Sequence, residues 1–381
     1  MIYITNSSIP SKTANTYQSF QMCYAFSKTH EVKMLFPSGK LLFNKIFFQR
    51  YGVKNTFKLS PVYSIDYIFL FYINKKIWYY IKVISFKISL VLRLFFVKKE
   101  DIIYSRDATT FRLLNFLKKY SLIKNHVFLE IHDFKQFYLS LSNVNGIIVL
   151  NKILKSKFIK LKVPVIVAHD GVNLDNFQEL DKLESRKLLD LNRDNYYCVY
   201  SGRYKTLNIE KGIPDIIKSS VYLDKKIQFI FIGGPIKEID SYLSLIDEQK
   251  LSRDRFIFID YVDLKTLNTY LSAADVFLMP FPNIKHFSEN MSPLKMFEYM
   301  AMRRPIIASD LPTIREILDD NNSFICKPNN PKDLSIKINS ALQKGKSKIE
   351  IAFELVQNYT WDKRAKKIFN LINSEVVNER S

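Results

Sequence analysis

Residues 288–310 read SENMSPLKMFEYMAMRRPIIASD, which has the pattern of an amphipathic helix followed by a short apolar strand. The apolar residues of its first part recur at helical spacing, namely Leu294, Phe297, Met300 and Ala301. Ser292 and Pro293 predict the start of this helix, because serine accepts hydrogen bonds from free first-turn amides and proline has no amide at the first position. The strand-like residues 304–310 come next, and a helix that leads into a buried strand is typical of α/β proteins.

The same alternation continues along the whole chain. In the first half, apolar strand-like segments occur at 2–5, 31–37, 101–105, 126–132, 146–151 and 163–169. In the second half they occur at 196–202, 228–234, 255–261, 275–281, 304–310 and 323–328. Short apolar strands separated by helices predict parallel sheets covered on both faces. We therefore expect an α/β protein of two doubly wound, Rossmann-like domains, 1–180 and 181–381, facing each other across a cleft, with the last helix packing back on the first domain.

Composition narrows the class of protein. The chain has 381 residues, with 30 Phe and 22 Tyr, which is enough apolar material for two cores. Cys23, Cys198 and Cys326 are far apart and odd in number, so they predict neither a disulfide framework nor a structural metal site and fit a reducing cytoplasm. Because neither a signal peptide nor an apolar run long enough to cross a bilayer is recognisable, we expect a cytoplasmic location.

Charge is distributed unevenly. Residues 1–175 contain 26 Lys and Arg against 9 Asp and Glu, a net charge of +17, whereas the remainder contains 31 against 28. The first half therefore faces an anionic partner, either nucleic acid or a membrane surface. Between residues 67 and 100, lysines alternate with large apolar residues such as Trp78, Phe95 and Phe96. This pattern favours a helix that lies on an anionic membrane, although aromatic core packing with solvated lysines would also produce it; no nucleic-acid-binding signature accompanies the charge.

Two cations lie where the second sheet is expected to bind its ligand. Gly202 and Gly234 each end a predicted strand, and the carboxyl ends of strands are the ligand-binding edge of an open α/β sheet. Arg203 and Lys211 lie in SGRYKTLNIEKG, residues 201–212. A planar guanidinium and a point charge together suit a diphosphate, and the helix after Ser292 would add free amides. Neither a Walker loop nor GxGxxG is present, which argues against a purine NTPase or a dehydrogenase.

Glu298 is a lone carboxylate on the flank of the apolar stripe in residues 294–301. Burial of an unpaired carboxylate is costly, so Glu298 is either ion-paired or binds a ligand. The residue pattern of this stretch leaves both interpretations open.

The combination of motifs resembles a known family. SGR at 201–203, EKG at 210–212, FIGGP at 231–235, residues 261–281 and residues 292–318 resemble the nucleotide-sugar-binding half of retaining glycosyltransferases of family 4, which have the GT-B fold. Residues 2–37, IYSRD at 103–107, EIHD at 130–133 and HDGVNLDNF at 169–177 resemble the acceptor-side half. The resemblance covers most of the chain and weakens between about residues 45 and 100.

The resemblance implies roles for individual residues. Glu298 matches the last glutamate of the Glu-x7-Glu motif, which holds the ribose hydroxyls of the nucleotide. The first glutamate is replaced by Asn290, with Glu289 one position away, so either residue could contact the donor sugar. Arg203 and Lys211 match the diphosphate-binding pair, and His132 matches the histidine beside the donor sugar. The remaining donor-binding residues are Ser292, Pro293, Leu294, Gly202 and Gly234.

The resemblance also implies a reaction. A sugar is transferred with retention from a UDP- or GDP-linked donor to a glycan acceptor, with no metal and no cofactor. A lipid-linked acceptor at the inner face of a bacterial cytoplasmic membrane, as in capsule or lipopolysaccharide synthesis, would also explain the basic first half. The alternatives are a membrane-peripheral nucleotide-sugar-binding protein without turnover, suggested by the missing glutamate, and a basic nucleic-acid-binding protein.

Overall fold

The computed structural model describes residues 1–38, 46–65, 72, 74–206 and 208–378. The chain forms two compact units: Met1–His169 together with Trp361–Ser381, and Asp170–Thr360. The chain thus leaves the first unit after His169 and returns to it at Trp361. The boundary expected from the sequence, near residue 180, falls within the second unit.

A parallel sheet forms the centre of the first unit. Its strands are β1 Ile2–Ile4, β2 Lys33–Ser38, β3 Lys58–Tyr63, β4 Ile103–Ser105, β5 Val127–Ile131, β6 Gly146–Val149 and β7 Val165–Val167. Their spatial order is β3-β2-β1-β4-β5-β6-β7, and every neighbouring pair is parallel. The order reverses between β1 and β4, which is the position where doubly wound sheets bind ligands.

The second unit repeats this design with a sheet of its own. Its strands are β8 Tyr196–Ser201, β11 Ile227–Ile232, β12 Phe256–Ile259, β13 Val276–Met279, β14 Ile306–Ser309 and β15 Phe324–Cys326, and the short strands β9 Lys205–Thr206 and β10 Ile209–Glu210 form an antiparallel hairpin. The spatial order of the sheet is β12-β11-β8-β13-β14-β15. This is the order of a Rossmann sheet, and its reversal lies between β8 and β13.

Helices connect the strands in both units. They are α1 Ala14–Ser27, α2 Ile46–Arg50, α3 Lys75–Leu94, α4 Ala108–Lys119, α5 Lys152–Ser156, α6 Lys182–Leu188, α7 Ile213–Ser219, α8 Asp240–Glu248, α9 Leu264–Ala273, α10 Lys285–Glu289, α11 Leu294–Ala301, α12 Pro312–Arg315, α13 Pro331–Lys344, α14 Lys346–Val356 and α15 Trp361–Asn378. Short 3-10 helices occupy Gln136–Ser140, Ser220–Tyr222, Ile236–Glu238 and Arg253–Arg255. Polar side chains cap several N-termini, as when Asp263 accepts from the Thr266 amide.

The last helix belongs to the first unit. Phe369 of α15 lies edge-on to Phe26 of α1, with ring centres 5.1 Å apart, and Lys28 forms a 2.6 Å ion pair with Asp362. Gly146 at the start of β6 leaves room for this helix, because an added Cβ would lie 3.0 Å from Leu371.

The predicted strands are confirmed in both halves, each within a few residues of its expected ends. They were recognisable because a parallel strand buried on both faces is a nearly continuous apolar run. The sequence analysis missed β3 and the β9–β10 hairpin. Strand β3 contains Pro61 and is interrupted by the polar Lys58 and Ser60, so it is not a continuous apolar run. It lies at the edge of its sheet, where proline is tolerated.

Helix α3 covers most of the stretch predicted to lie on a membrane; residues 67–71 and 73 of that stretch are outside the described residues. Its buried face includes Val83, Phe86 and Leu90. Both interpretations of this stretch place its lysines outward, and for Lys82 this prediction is wrong. This side chain is only 4% exposed, because it lies beside Val83 on the buried face, and its ammonium donates a 2.8 Å hydrogen bond to Ser8 Oγ.

A second apolar row on α3 remains exposed: Ile77, Tyr80, Ile84, Ile88 and Leu92. Phe95 and Phe96 extend it beyond the helix end, and Phe96 is 86% exposed. Over the part of the chain that the structure describes, no helix has both the length and the apolar character that crossing a bilayer requires.

Candidate active site

The candidate site of the second unit lies at the carboxyl end of β8, next to the reversal of strand order. The loops after β8 and β11 approach each other closely there. The Gly202 amide donates a 2.7 Å hydrogen bond to the Ile232 carbonyl, and a Cβ on Gly233 would lie 2.8 Å from the Gly202 backbone. Gly233 has φ +120°, a conformation that favours glycine. These contacts explain why glycines follow both strands.

Gly234 is held by a different set of contacts. Its carbonyl accepts a 3.0 Å hydrogen bond from the Tyr204 amide, and an added Cβ would lie 2.4 Å from Asp260 Oδ1. The backbone geometry of this turn therefore accounts for the glycine. Contact between Gly234 and a nucleotide-sugar donor stays a prediction.

Arg203 and Lys211 lie close enough for their charges to interact. Arg203 follows β8 and is exposed, and its carbonyl accepts a 2.9 Å hydrogen bond from the Tyr200 hydroxyl. Lys211 follows β10 and is partly buried. Burial, together with the charge of Arg203, lowers the pKa of Lys211 to about 8. A buried ammonium that lies near a second cation favours binding of an anion.

A third cation, Lys295, was missed by the sequence analysis. It lies in the first turn of α11 and is 8% exposed. Its Nζ lies 3.3 Å from the centre of the Tyr200 ring and has no hydrogen-bond partner among the described residues. Burial and the charge of Lys211 hold the pKa of Lys295 well below its ordinary value, and Glu298 opposes this shift. The signal was a lysine within an otherwise apolar helical run, residues 294–301.

Glu298 lies one turn further along α11 and is partly buried. Burial raises the pKa of its carboxyl to about 7, and Lys295 opposes that shift. The next residue, Tyr299, accepts a 2.7 Å hydrogen bond from the backbone amide of Ser201. Glu298 is thus fixed beside the end of β8, in the electrostatic field of Lys295.

The predicted cap of this helix is wrong. Helix α11 begins at Leu294, and Pro293 is its N-cap residue, in an extended conformation and without a side-chain hydrogen bond to the helix. Ser292 lies one residue too early to cap. Its hydroxyl instead accepts a 3.0 Å hydrogen bond from the buried Asp170 amide. The first turn of α11 therefore has no side-chain acceptor, so its amides are suited to an anion.

Asn290 follows α10, the short helix that ends at Glu289. Its Oδ1 atom is buried and has no hydrogen-bond partner within the described part of the chain. A buried carbonyl oxygen that accepts no hydrogen bond is costly. A hydroxyl of the donor sugar would supply that hydrogen bond, so Asn290 is favoured over Glu289 as its acceptor. The role of either residue stays a prediction.

His132 lies in the first unit, after β5, within a buried polar network. Its Nε2 lies 2.5 Å from Glu130 Oε1, and Arg106 Nη2 lies 3.1 Å from its Nδ1. Glu130 also pairs with Arg364 at 3.0 Å, which helps to hold the Glu130 pKa well below its usual range. Burial, and next the charge of Arg106, lowers the pKa of His132 to about 4. The imidazole is therefore neutral near pH 7.

Among the described residues, no group of three or more His, Cys, Asp and Glu side chains is arranged to hold a metal ion. The positive charge of the second-unit site comes from Arg203, Lys211 and Lys295.

The family model "Glycosyl transferases group 1" matches residues 195–344, which include this entire set of cations and Glu298. Over this segment the chain is similar to the group 1 glycosyltransferases. The Bacillus subtilis protein named as the teichuronic acid biosynthesis glycosyltransferase TuaC is 29% identical over 190 residues, 49% of this chain and 44% of that protein. The D-inositol 3-phosphate glycosyltransferase of Mycobacterium leprae is 28% identical over 147 residues, 38% of this chain and 32% of its own length. The chain thus aligns with less than half the length of these curated relatives.

Solved structures show the fold over nearly the whole chain. Sucrose-phosphate synthase from Thermosynechococcus elongatus superposes with a TM-score of 0.75 at 16% identity, covering 99% of both chains. Anabaena HepE in complex with UDP-glucose superposes with a TM-score of 0.72 at 14% identity, covering 98% of this chain and 99% of that one. The predicted fold class, two Rossmann-like α/β domains of the GT-B type, is confirmed.

Proposed function

We propose that this protein is a retaining glycosyltransferase that uses a nucleoside diphosphate sugar as its donor. The observation that carries the proposal is the group of cations at the end of β8. Lys211 interacts with both Arg203 and Lys295, and Glu298 contributes one carboxylate beside them. This excess of positive charge at the ligand-binding edge of a Rossmann sheet suits a diphosphate.

In the proposed reaction, the bond between the anomeric carbon and the diphosphate oxygen breaks. The acceptor oxygen bonds to that carbon on the same face, and its proton passes to the departing phosphate. Arg203 and Lys211 stabilise the negative charge that develops on the leaving group. Glu298 accepts hydrogen bonds from the ribose hydroxyls, and Asn290 accepts from the donor sugar.

We further propose that no metal or cofactor takes part, because Arg203 and Lys211 supply the charge that a metal would otherwise bring to the diphosphate. Turnover that survives treatment with a chelator supports this part of the proposal. Turnover that is lost, and then restored by a divalent cation, contradicts it.

The acceptor is proposed to be a lipid-linked glycan at the cytoplasmic face of a bacterial membrane. Helix α3 supports this assignment, because its exposed apolar row shares a helix that contains four Lys and Arg besides the buried Lys82, and no Asp or Glu. Such a helix suits an anionic lipid surface. The similarity to a protein named for teichuronic acid biosynthesis supports the glycan part of this assignment.

The test combines donor binding with turnover. A thermal-shift screen with UDP-, GDP- and ADP-sugars identifies the donor, and NMR of the product then reports its anomeric configuration. A stabilising donor whose sugar is transferred with retained configuration supports the proposal. Inversion contradicts the proposed mechanism. Binding without hydrolysis or transfer favours a nucleotide-sugar-binding protein, as the replacement of the first motif glutamate by Asn290 suggests.

A further inference from the structure

Lys295 is a buried cation of the second unit, and the described residues do not satisfy its hydrogen-bonding groups. Its side chain is 8% exposed, and its ammonium has no hydrogen-bond partner among the residues that the structure describes. An ammonium carries three donors, and leaving them unused in a buried position is unfavourable. A buried lysine of this kind is expected where a ligand supplies the missing acceptors.

The surroundings of Lys295 direct its ammonium to the end of β8. Nζ lies 3.3 Å from the centre of the Tyr200 ring and 5.5 Å from that of Phe281. These two rings stabilise the cation through their faces without filling its hydrogen-bonding capacity. A Cβ on Gly202 would lie 3.4 Å from both Cε and Nζ, so the ammonium lies directly beside the Gly202 backbone.

The charged neighbours identify the class of ligand. Lys211 and Glu298 are the charged groups whose fields act on Lys295, and Arg203 acts on Lys211. When all four groups are ionised, three cations and one carboxylate leave a charge of about +2. The diphosphate of a nucleotide sugar, which carries one negative charge on each phosphate, matches this charge.

We infer that Lys295 is a third diphosphate-binding residue of the donor site. It binds the diphosphate together with Lys211, while the rings of Tyr200 and Phe281 support the Lys295 ammonium. The inference rests on the proposed function. It also predicts that binding of a nucleoside diphosphate takes up protons, because the anion stabilises the charged form of both lysines.

The test titrates UDP and GDP into wild-type protein and into Lys295→Met, which keeps the length of the side chain against the two rings. We expect affinity to fall about tenfold or more, as for loss of one charge-assisted hydrogen bond. Lys348→Met is the matched control, because Lys348 also lies over a ring, 5.0 Å from the centre of Phe324, and is placed outside the site. Its affinity should equal that of wild type.

Proton uptake separates binding from a structural role. Calorimetry at about pH 8 in two buffers of different ionisation enthalpy measures the protons taken up on binding. Wild type should take up more protons than Lys295→Met, while both have similar melting temperatures without ligand. If Lys295→Met does not fold, Lys295→Gln replaces it.

The outcomes distinguish the two hypotheses. Nucleotide binding with equal affinity and equal proton uptake in wild type and Lys295→Met would overturn the inference and leave the proposed function standing. Failure of wild type to bind any nucleoside diphosphate would overturn both.

Discussion

The Tyr299 hydroxyl accepts a 2.7 Å hydrogen bond from the backbone amide of Ser201. The Tyr299 ring also stacks on Phe277 of β13, with ring centres 4.4 Å apart. This residue therefore joins α11, which carries Lys295 and Glu298, to the two strands at the reversal of the sheet. The geometry of the candidate site depends on this connection.

Tyr299→Phe should lower the free energy of unfolding by about 1–3 kcal/mol, because the ring remains stacked while the buried Ser201 amide loses its acceptor. Denaturant unfolding measures the change. Nucleotide affinity should fall as well, since α11 is then less firmly fixed. Tyr196→Phe, at an exposed position of β8, is the control, and an equal stability of the two variants would argue against this role of Tyr299.

Nucleoside diphosphate affinity should decrease as the pH rises above about 8. Lys211 has its pKa lowered to about 8 by burial and by Arg203, so its charge is lost at a lower pH than that of an ordinary lysine. Lys211→Arg should extend binding to higher pH, because arginine stays protonated. Titrations between pH 7 and pH 10 measure the effect, and superimposable pH profiles would exclude Lys211 as the titrating group.

Glu298→Gln should weaken nucleotide binding while improving the stability of the free protein at about pH 8. Burial raises the pKa of Glu298 to about 7, so the folded state retains a proton that the unfolded chain has released. The stability contributed by this protonation is complete below the unfolded pKa and is lost as the pH rises through about 7. Thermal melts across this range, with and without UDP, measure both effects. Unchanged UDP affinity would remove Glu298 from the site.

The protein should sediment with vesicles rich in anionic lipid and be released by high salt. Replacing Lys75, Lys76 and Lys87 by Gln should weaken this binding on the order of a hundredfold, since each cation near an anionic leaflet contributes about 1 kcal/mol. Nucleotide affinity should not change. Lys82 is omitted because it is buried against Ser8.

The control for this experiment replaces three exposed lysines of the second unit by Gln: Lys225, Lys226 and Lys237. Equal binding of wild type to neutral and anionic vesicles would contradict the electrostatic part of the proposal, and no binding to either would contradict all of it.

The fold was predictable because buried parallel strands are continuous apolar runs bounded by helices, as in the residues of β8 and β11. Arg203 and Lys211 could be located because they lie in the segment that follows strand β8. Lys295 was missed because its contacts with Tyr200 and Gly202, which are distant in sequence, give the lysine in the apolar run its meaning. Ser292 and Lys82 were misassigned for the same reason: the hydroxyl of one accepts from Asp170, and the ammonium of the other donates to Ser8.

The diphosphate site is tested by comparing sugar transfer and UDP affinity in wild type, Arg203→Ala and Lys211→Ala. Lys225→Ala, at an exposed position, is the control, and circular dichroism checks the fold. Each site variant should lose about 3 kcal/mol of transition-state stabilisation, on the order of a hundredfold in rate, with its fold intact. Wild-type turnover and affinity in both site variants would contradict the assignment of this site to the donor diphosphate.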